Sequence, residues 1–217
     1  MALTLEYLKK LGRVKNVSCL MMEDRGYNLP DQEIQLKGMK DIEIASHYLS
    51  IAKKANCSLG YALSCTYARN DELTLVLFLD NNYDETKKKD KMVSTEQAKT
   101  AIKLWKDFFS DCSTCIFISP GKLSPDAKKE ISVPNLFLIT HEFLTLPVGR
   151  HSLVPKHEAL SNKDVEIFTK ERKIDKNQLP QLKVTDPISI YYGYSPGTVV
   201  KITRPGDWTI FRVVTSN

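Results

Sequence analysis

Few residue groups in this chain have types and spacing that could do chemistry. Cys112-Ser113-Thr114-Cys115 is a C-x-x-C pair. Thiolates at that spacing can supply half of a tetrahedral zinc site or form a redox couple. A structural zinc site needs four ligands, and neither a second C-x-x-C nor an H-x₃-H follows downstream. A redox pair gains from a helix N-terminus, where the dipole favours thiolate; this pair follows a helical pattern and leads into a strand. Packing is the expected role of Cys112 and Cys115, with no metal and no cofactor bound. His47, His141, His151 and His157 are scattered, and none has a nearby activated serine or cysteine with an orienting carboxylate. Only nine glycines are present, and none forms a phosphate-binding loop.

Two further stretches carry charge in suggestive patterns. Asp80 followed by Asp84-Glu85-Thr86-Lys87 contains E-x-K, and nucleases of the PD-(D/E)xK type use such groups for Mg²⁺ and for a lysine beside the attacking water. Glu85 falls in a solvated charge run, whereas a metal ligand needs a rigid support, so catalysis here is the lesser alternative. Leu123-Ser124-Pro125-Asp126-Ala127-Lys128 reads as a helix start, with Ser124 the N-cap and Pro125 the first residue. Outward N–H groups at such an end can hold a phosphate. The plain alternative is a capped helix and nothing more.

The elements that would position these groups follow from periodicity. Leu5, Leu8, Leu11, Val14, Val17 and Leu20-Met21 predict a long amphipathic helix ending at Gly26, weakened locally at Gly12 by about 1 kcal/mol. A second helix fits Asp41 to Cys57, with Ile44, Tyr48, Ile51 and Ala52 on one face. Tyr61 to Ala68 and Glu72 to Leu79 read as adjacent strands around Arg69-Asn70-Asp71, the second apolar enough to be covered on both faces. Asp80 to Lys91 reads as a polar, lysine-rich loop. Ser94 and Gln97 form a capping box for a helix through Phe108-Phe109. Thr114 to Ile118 is a strand, Ser124 to Ile131 a short helix, and Leu136 to Ile139 the last strand of the set. Alternating strands and helices predict an α/β layer domain over the first two thirds.

The pattern changes near residue 142. Phe143 to Val148 is expected as a strand, and Ser161 caps a helix through Arg172 that buries Val165 and Phe168. Asp186 is an N-cap, Pro187 a first helical residue, and Gly193 the left-handed residue that closes a turn holding Ile188, Ile190, Tyr191 and Tyr192. Thr198 to Thr203 is a β-branched strand, paired with Ile210 to Val214 across Gly206-Asp207. Nothing in this compact module could perform catalysis; it reads as something built to be held.

Bulk composition sets further bounds. The chain has 217 residues, 42% hydrophobic and 26% charged, as an ordinary globular protein has. No run approaches the roughly 20 apolar residues that cross a bilayer. The first residues lack a basic region with an apolar core, so no signal peptide is expected. Five cysteines, all before residue 116, do not make a disulfide framework, and an intracellular setting is expected. The net charge is +5, with 21 Lys/Arg against 19 Asp/Glu up to residue 150 and 10 against 7 after it. That excess is too dispersed for a freestanding nucleic-acid-binding module, the second alternative reading.

The runs Leu153-Val154-Pro155-Lys156-His157, Gln178-Leu179-Pro180, Thr185-Asp186-Pro187, Tyr191-Tyr192-Gly193, Gly197 to Ile202 and Arg204-Pro205 occur in one order at tight spacing. Together they resemble the C-terminal domain of the fifth-largest subunit of eukaryotic DNA-dependent RNA polymerases, a domain equivalent to a whole small subunit in archaea. The end of the first helix, Asp24-Arg25-Gly26-Tyr27, is similar to that family's as well.

The resemblance implies an α+β protein of two domains, an N-terminal α/β jaw over 1–141 and a small C-terminal α+β assembly domain over 142–217. It implies a non-catalytic subunit in the nucleus that docks on the largest polymerase subunit, contacts other polymerase subunits and lays its jaw beside downstream duplex DNA. Pro155, His157, Asp186, Pro187, Tyr191, Tyr192, Gly193, Arg204 and Pro205 would serve the subunit interface. Ser124, Pro125, Asp126, Ala127, Lys128 and Lys129 would lie near DNA, because a Thr-Pro-Ser-Ala stretch of the family touches the DNA backbone there. Asp126 replaces the family's serine and would repel phosphate, with Lys128 and Lys129 able to offset it. The family's longer connection after Arg204-Pro205 is cut here to Gly206-Asp207-Trp208.

Overall fold

The computed structural model describes residues 4–80, 83–84, 89–90, 92–206 and 208–216. It is α+β, with two compact units, Met1–Leu146 and Pro147–Asn217.

In the first unit, α1 (Leu5–Asp24) begins at Thr4, whose hydroxyl accepts the Tyr7 N–H at 3.3 Å, and gives way to Gly26 at φ +82°. Its inner face buries Leu11, Val14, Val17, Met21 and Met22. The short α2 (Asp31–Ile34) leads to α3 (Asp41–Ala55), which closes on left-handed Asn56. Gly12, a weak point by helix propensity, is required by packing: a Cβ there would overlap the carbonyl of Asp41 at the start of α3.

The sheet has the order β1-β2-β5-β6, formed by β1 (Cys65–Arg69), β2 (Glu72–Phe78), β5 (Thr114–Ser119) and β6 (Leu136–Thr140). β1 and β2 pair antiparallel across a turn with Asn70 at φ +52°, while β2, β5 and β6 run parallel. Parallel neighbours need crossovers, supplied by α5 (Thr95–Phe108) and α6 (Pro125–Ile131). The backbone of β3 (Tyr83–Asp84) and β4 (Lys89–Asp90) forms a small separate ladder. Leu75, Leu77, Cys115 and Phe117 pack with Ala98, Ala101 and Trp105 of α5 and Ala127 and Ile131 of α6. The alternate residues Val76, Phe78, Ile116 and Ile118 are equally buried on the opposite face, where Lys15 of α1 lies over the Phe78 ring. The sheet is thus covered on both sides.

Two expected strands differ. Tyr61 belongs to α4 (Leu59–Leu63), because the Ser58 hydroxyl caps the Tyr61 N–H and starts a helical turn before β1. The segment 143–148 is split between 3₁₀ turns at Phe143–Thr145 and Val148–Arg150. Leu144 is buried while Leu146 is exposed, so the apolar residues do not share one face, and Pro147 lacks a ladder donor.

The second unit is a sheet of order β7-β9-β10-β8 with two helices. Its strands are β7 (Lys156–Ala159), β8 (Gln181–Lys183), β9 (Val199–Arg204) and β10 (Trp208–Thr215), with α7 (Asn162–Arg172) and α8 (Pro187–Tyr192) between them. β9 pairs antiparallel with β7 and β10, and β8 joins β10 in parallel. One face gathers Leu182, Val200, Ile202 and Val214; the other gathers Leu179, Val199 and Val213 beneath α7. Val165 and Phe168 are only half-buried, since α7 lies across an open sheet with no residue fully covered. Phe168 packs on Phe211 at a ring separation of 4.2 Å. Among the described residues, no helix is long and apolar enough to cross a membrane.

Candidate functional site

The residues singled out in the second unit fall into two groups. The register that sets Lys156 opposite Thr203 brings Pro155 beside Arg204, and Arg204 pairs with Trp208 across the hairpin. Pro155, Arg204 and Pro205 line an open groove of about 490 Å³ with Leu153, Val154 and Thr203. Leu153 is 86% exposed and Trp208 is 74% exposed. Large apolar side chains left in water around an exposed arginine have the composition of a protein interface core. Asp207 lies outside the described residues.

The second group surrounds α8. Asp186 Oδ1 accepts the Ile188 N–H at 2.8 Å, Pro187 follows as the first helical residue, and Gly193 at φ +68° ends the helix. Tyr191 has no exposed area, so it can offer nothing to a partner. Its ring presses on Gly149, where a Cβ would come within 2.5 Å. Tyr192 remains half-exposed, edge-on to Tyr191 and stacked with Tyr194 at 5.4 Å. His157 faces this group from β7. Burial lowers its pKa, while the Pro155 carbonyl and the Asp186 carboxylate act in the opposite direction. Its Nδ1 lies 2.7 Å from the Pro155 oxygen and so carries the proton in the neutral ring.

At the other predicted site, the Ser124 hydroxyl accepts the Ala127 N–H at 3.2 Å and Pro125 opens α6. Asp126, Lys128 and Lys129 are exposed, and Asp126 pairs with Lys129 at 3.6 Å. Ala127 is wholly buried in the core and touches nothing outside it.

The thiols of Cys112 and Cys115 are buried and free, and burial raises both pKa values. The Cys112 carbonyl accepts the Trp105 indole N–H at 3.1 Å, which fixes the turn before β5. Glu85, Thr86 and Lys87 lie outside the described residues. Among the described residues, no three His, Cys, Asp or Glu side chains are grouped to hold a metal. His47, His141 and His151 stay far apart in sequence and serve separate local contacts, such as the Leu153 N–H donated to His151 Nδ1.

Sequence reasoning missed the most polar interior of the protein. Lys15 is sealed against Glu33 of α2 at 2.6 Å and donates to the Leu63 carbonyl at 2.7 Å. Tyr48 and Cys19 both donate to Glu33, and Cys19 lies near the Tyr67 hydroxyl. Burial pushes the Cys19 thiol up to about 12. The available signal was positional: Lys15 and Ser18 continue the stripe of Leu8, Leu11 and Met22 on the inner face of α1.

Comparison with known proteins bears mainly on the second unit. Residues 146–215 match the family described as RNA polymerase Rpb5, C-terminal domain. A DNA-directed RNA polymerase subunit Rpo5 of Archaeoglobus fulgidus is 46% identical over 68 residues, covering 30% of this chain and 90% of the relative. The Rpo5 of Sulfurisphaera tokodaii is 41% identical over 72 residues, 31% of this chain and 86% of that protein. A longer match, 25% identical over 207 residues and spanning 91% of this chain and 90% of the other, is to Caenorhabditis elegans RPABC1, a subunit of RNA polymerases I, II and III.

Proposed function

The chain belongs to the family of RNA polymerase subunit 5, and on that footing we propose that it is a non-catalytic, structural subunit of a nuclear DNA-directed RNA polymerase. The second unit docks on the largest subunit, and the first lies beside downstream duplex DNA. The observation that carries the docking role is exposed Leu153 and Arg204 on one groove of the second unit, with exposed Trp208 paired to Arg204 across the hairpin. Half-exposed Tyr192 and exposed Gly193 by α8 extend the candidate surface, whereas Tyr191, Asp186 and His157 hold its shape.

Co-purification of the large polymerase chains with tagged protein tests this reading. Leu153→Asp with Arg204→Glu, both on exposed positions, should abolish recovery of the largest subunit and leave the fold intact by circular dichroism. Undiminished recovery defeats the docking assignment. For the first unit, Lys128→Ala with Lys129→Ala should weaken crosslinking to downstream DNA while assembly stays normal. Unchanged crosslinks would remove α6 from the DNA path.

A further inference from the structure

The first unit holds a groove that the polymerase reading does not use. It has a volume of about 400 Å³ and lies where β2 ends, between α4 and α5. The crevice beyond the carboxyl ends of parallel strands is where α/β layers place ligands.

Its walls are fixed. The Gly60 N–H donates to Asp80 Oδ1 at 2.9 Å, and a Cβ at Gly60 would lie 2.6 Å from the Phe78 carbonyl. Ser64 ties α4 to the strand, donating to the Gly60 carbonyl at 2.8 Å and accepting the Phe78 N–H at 3.0 Å. On the far wall, Ser94 and Gln97 lock the start of α5 through a reciprocal capping box.

The floor is apolar, formed by Leu77, Leu79, Ala101 and Leu104, and Tyr61 stands on the rim with 48% of its surface exposed. Among the described residues the charged lining is Asp80 and Glu96, with no lysine, arginine or histidine. Two helix starts contribute at most about half a positive charge each, which leaves the described lining net negative by at least about one charge. The volume sits at the low end of the roughly 300–1,000 Å³ range of ligand pockets, enough for a short segment.

We propose that this groove docks a short segment of a partner protein in which a lysine or arginine flanks aliphatic side chains. The aliphatic groups cover Leu77, Leu79 and Leu104, and the cation meets Asp80 and Glu96. The proposal is independent of the polymerase reading and can be tested on the isolated full chain.

A phage-displayed random dodecapeptide library selected on the full chain provides the probe. The enriched peptides should carry Lys or Arg beside Leu, Ile, Val or Met. Their synthetic forms should shift the amide resonances of Tyr61, Ala101 and Leu104. Asp80→Asn with Glu96→Gln should weaken binding about tenfold, as two partly exposed ion pairs would. Thr100→Trp, an exposed α5 position on the groove, should block it sterically. Absence of any enriched motif, a motif without a basic residue, or resonance shifts elsewhere would each overturn the proposal.

Discussion

Lys15 Nζ lies 2.6 Å from Glu33 Oε1, and neither side chain has any exposed area. The two residues come from different elements, α1 and α2, so the ion pair pins the short α2 segment to the inner face of the long helix. Tyr48 from α3 and Cys19 from α1 complete the ring of donors to the carboxylate. A buried pair of this kind adds little net energy when whole, because desolvation opposes its attraction, but breaking one half strands a charge.

Lys15→Met should therefore destabilise the protein by about 3–5 kcal/mol. The paired change Lys15→Met with Glu33→Gln should recover much of that loss, since the amide oxygen of the new side chain still accepts from Tyr48. Urea unfolding of the three proteins checks this, and a single variant as stable as the parent would show that the charges are not mutually dependent.

Gly149→Ala should destabilise the second unit by about 1–3 kcal/mol through overpacking. The new methyl would meet the Tyr191 ring at 2.5 and 2.8 Å and the Tyr192 hydroxyl at 2.9 Å. Adding Tyr191→Phe should not relieve it, because the two closest ring carbons remain. Thermal melts of the two variants decide the matter.

His157 gives the second unit a pH dependence with a definite sign. Burial puts its folded pKa below the ordinary value of 6.5. The unfolded chain then takes up a proton first as pH falls, so this contribution to stability is present above 6.5 and is lost toward the lower folded pKa. His157→Gln should flatten the fall in unfolding free energy between neutral and mildly acidic pH. An unchanged slope would assign it to other groups.

Native-state alkylation should leave Cys19, Cys65, Cys112 and Cys115 unmodified, because all four are buried and burial raises each thiol's pKa. Brief iodoacetamide treatment at pH 8 followed by intact-mass analysis should show a single adduct, on the half-exposed Cys57. Rapid modification of Cys112 and Cys115 would reopen a redox role for the C-x-x-C pair.

Local signals in the sequence carry a long way. Asp186, Pro187 and Gly193 act through their own backbone neighbours, so the cap, the first helical residue and the left-handed close of α8 are legible without any tertiary knowledge. The same is true of Ser94 with Gln97 and of Ser124. Features that depend on distant partners are not. Residue type marks Tyr191 as interface material, yet Gly149, 42 positions earlier, supplies the surface that buries it. Gly12 reads as a helix defect because the Asp41 carbonyl that needs its missing side chain is far along the chain. Lys15 gives only a positional hint, since a charged residue on an apolar stripe is unreadable until Glu33 is found.

The strand order of the second unit also bears on when it can form during synthesis. β10 is an interior strand, hydrogen-bonded to β9 on one side and to β8 on the other, and it is the last of the unit's strands in chain order. Until residue 215 has left the ribosome, β8 has no ladder partner and Leu182 lacks Val214 beside it. A nascent chain stalled after β9 would carry an unpaired edge next to apolar side chains, a state prone to aggregation. β8 therefore joins the sheet after β9 and β10, although it precedes both in the chain.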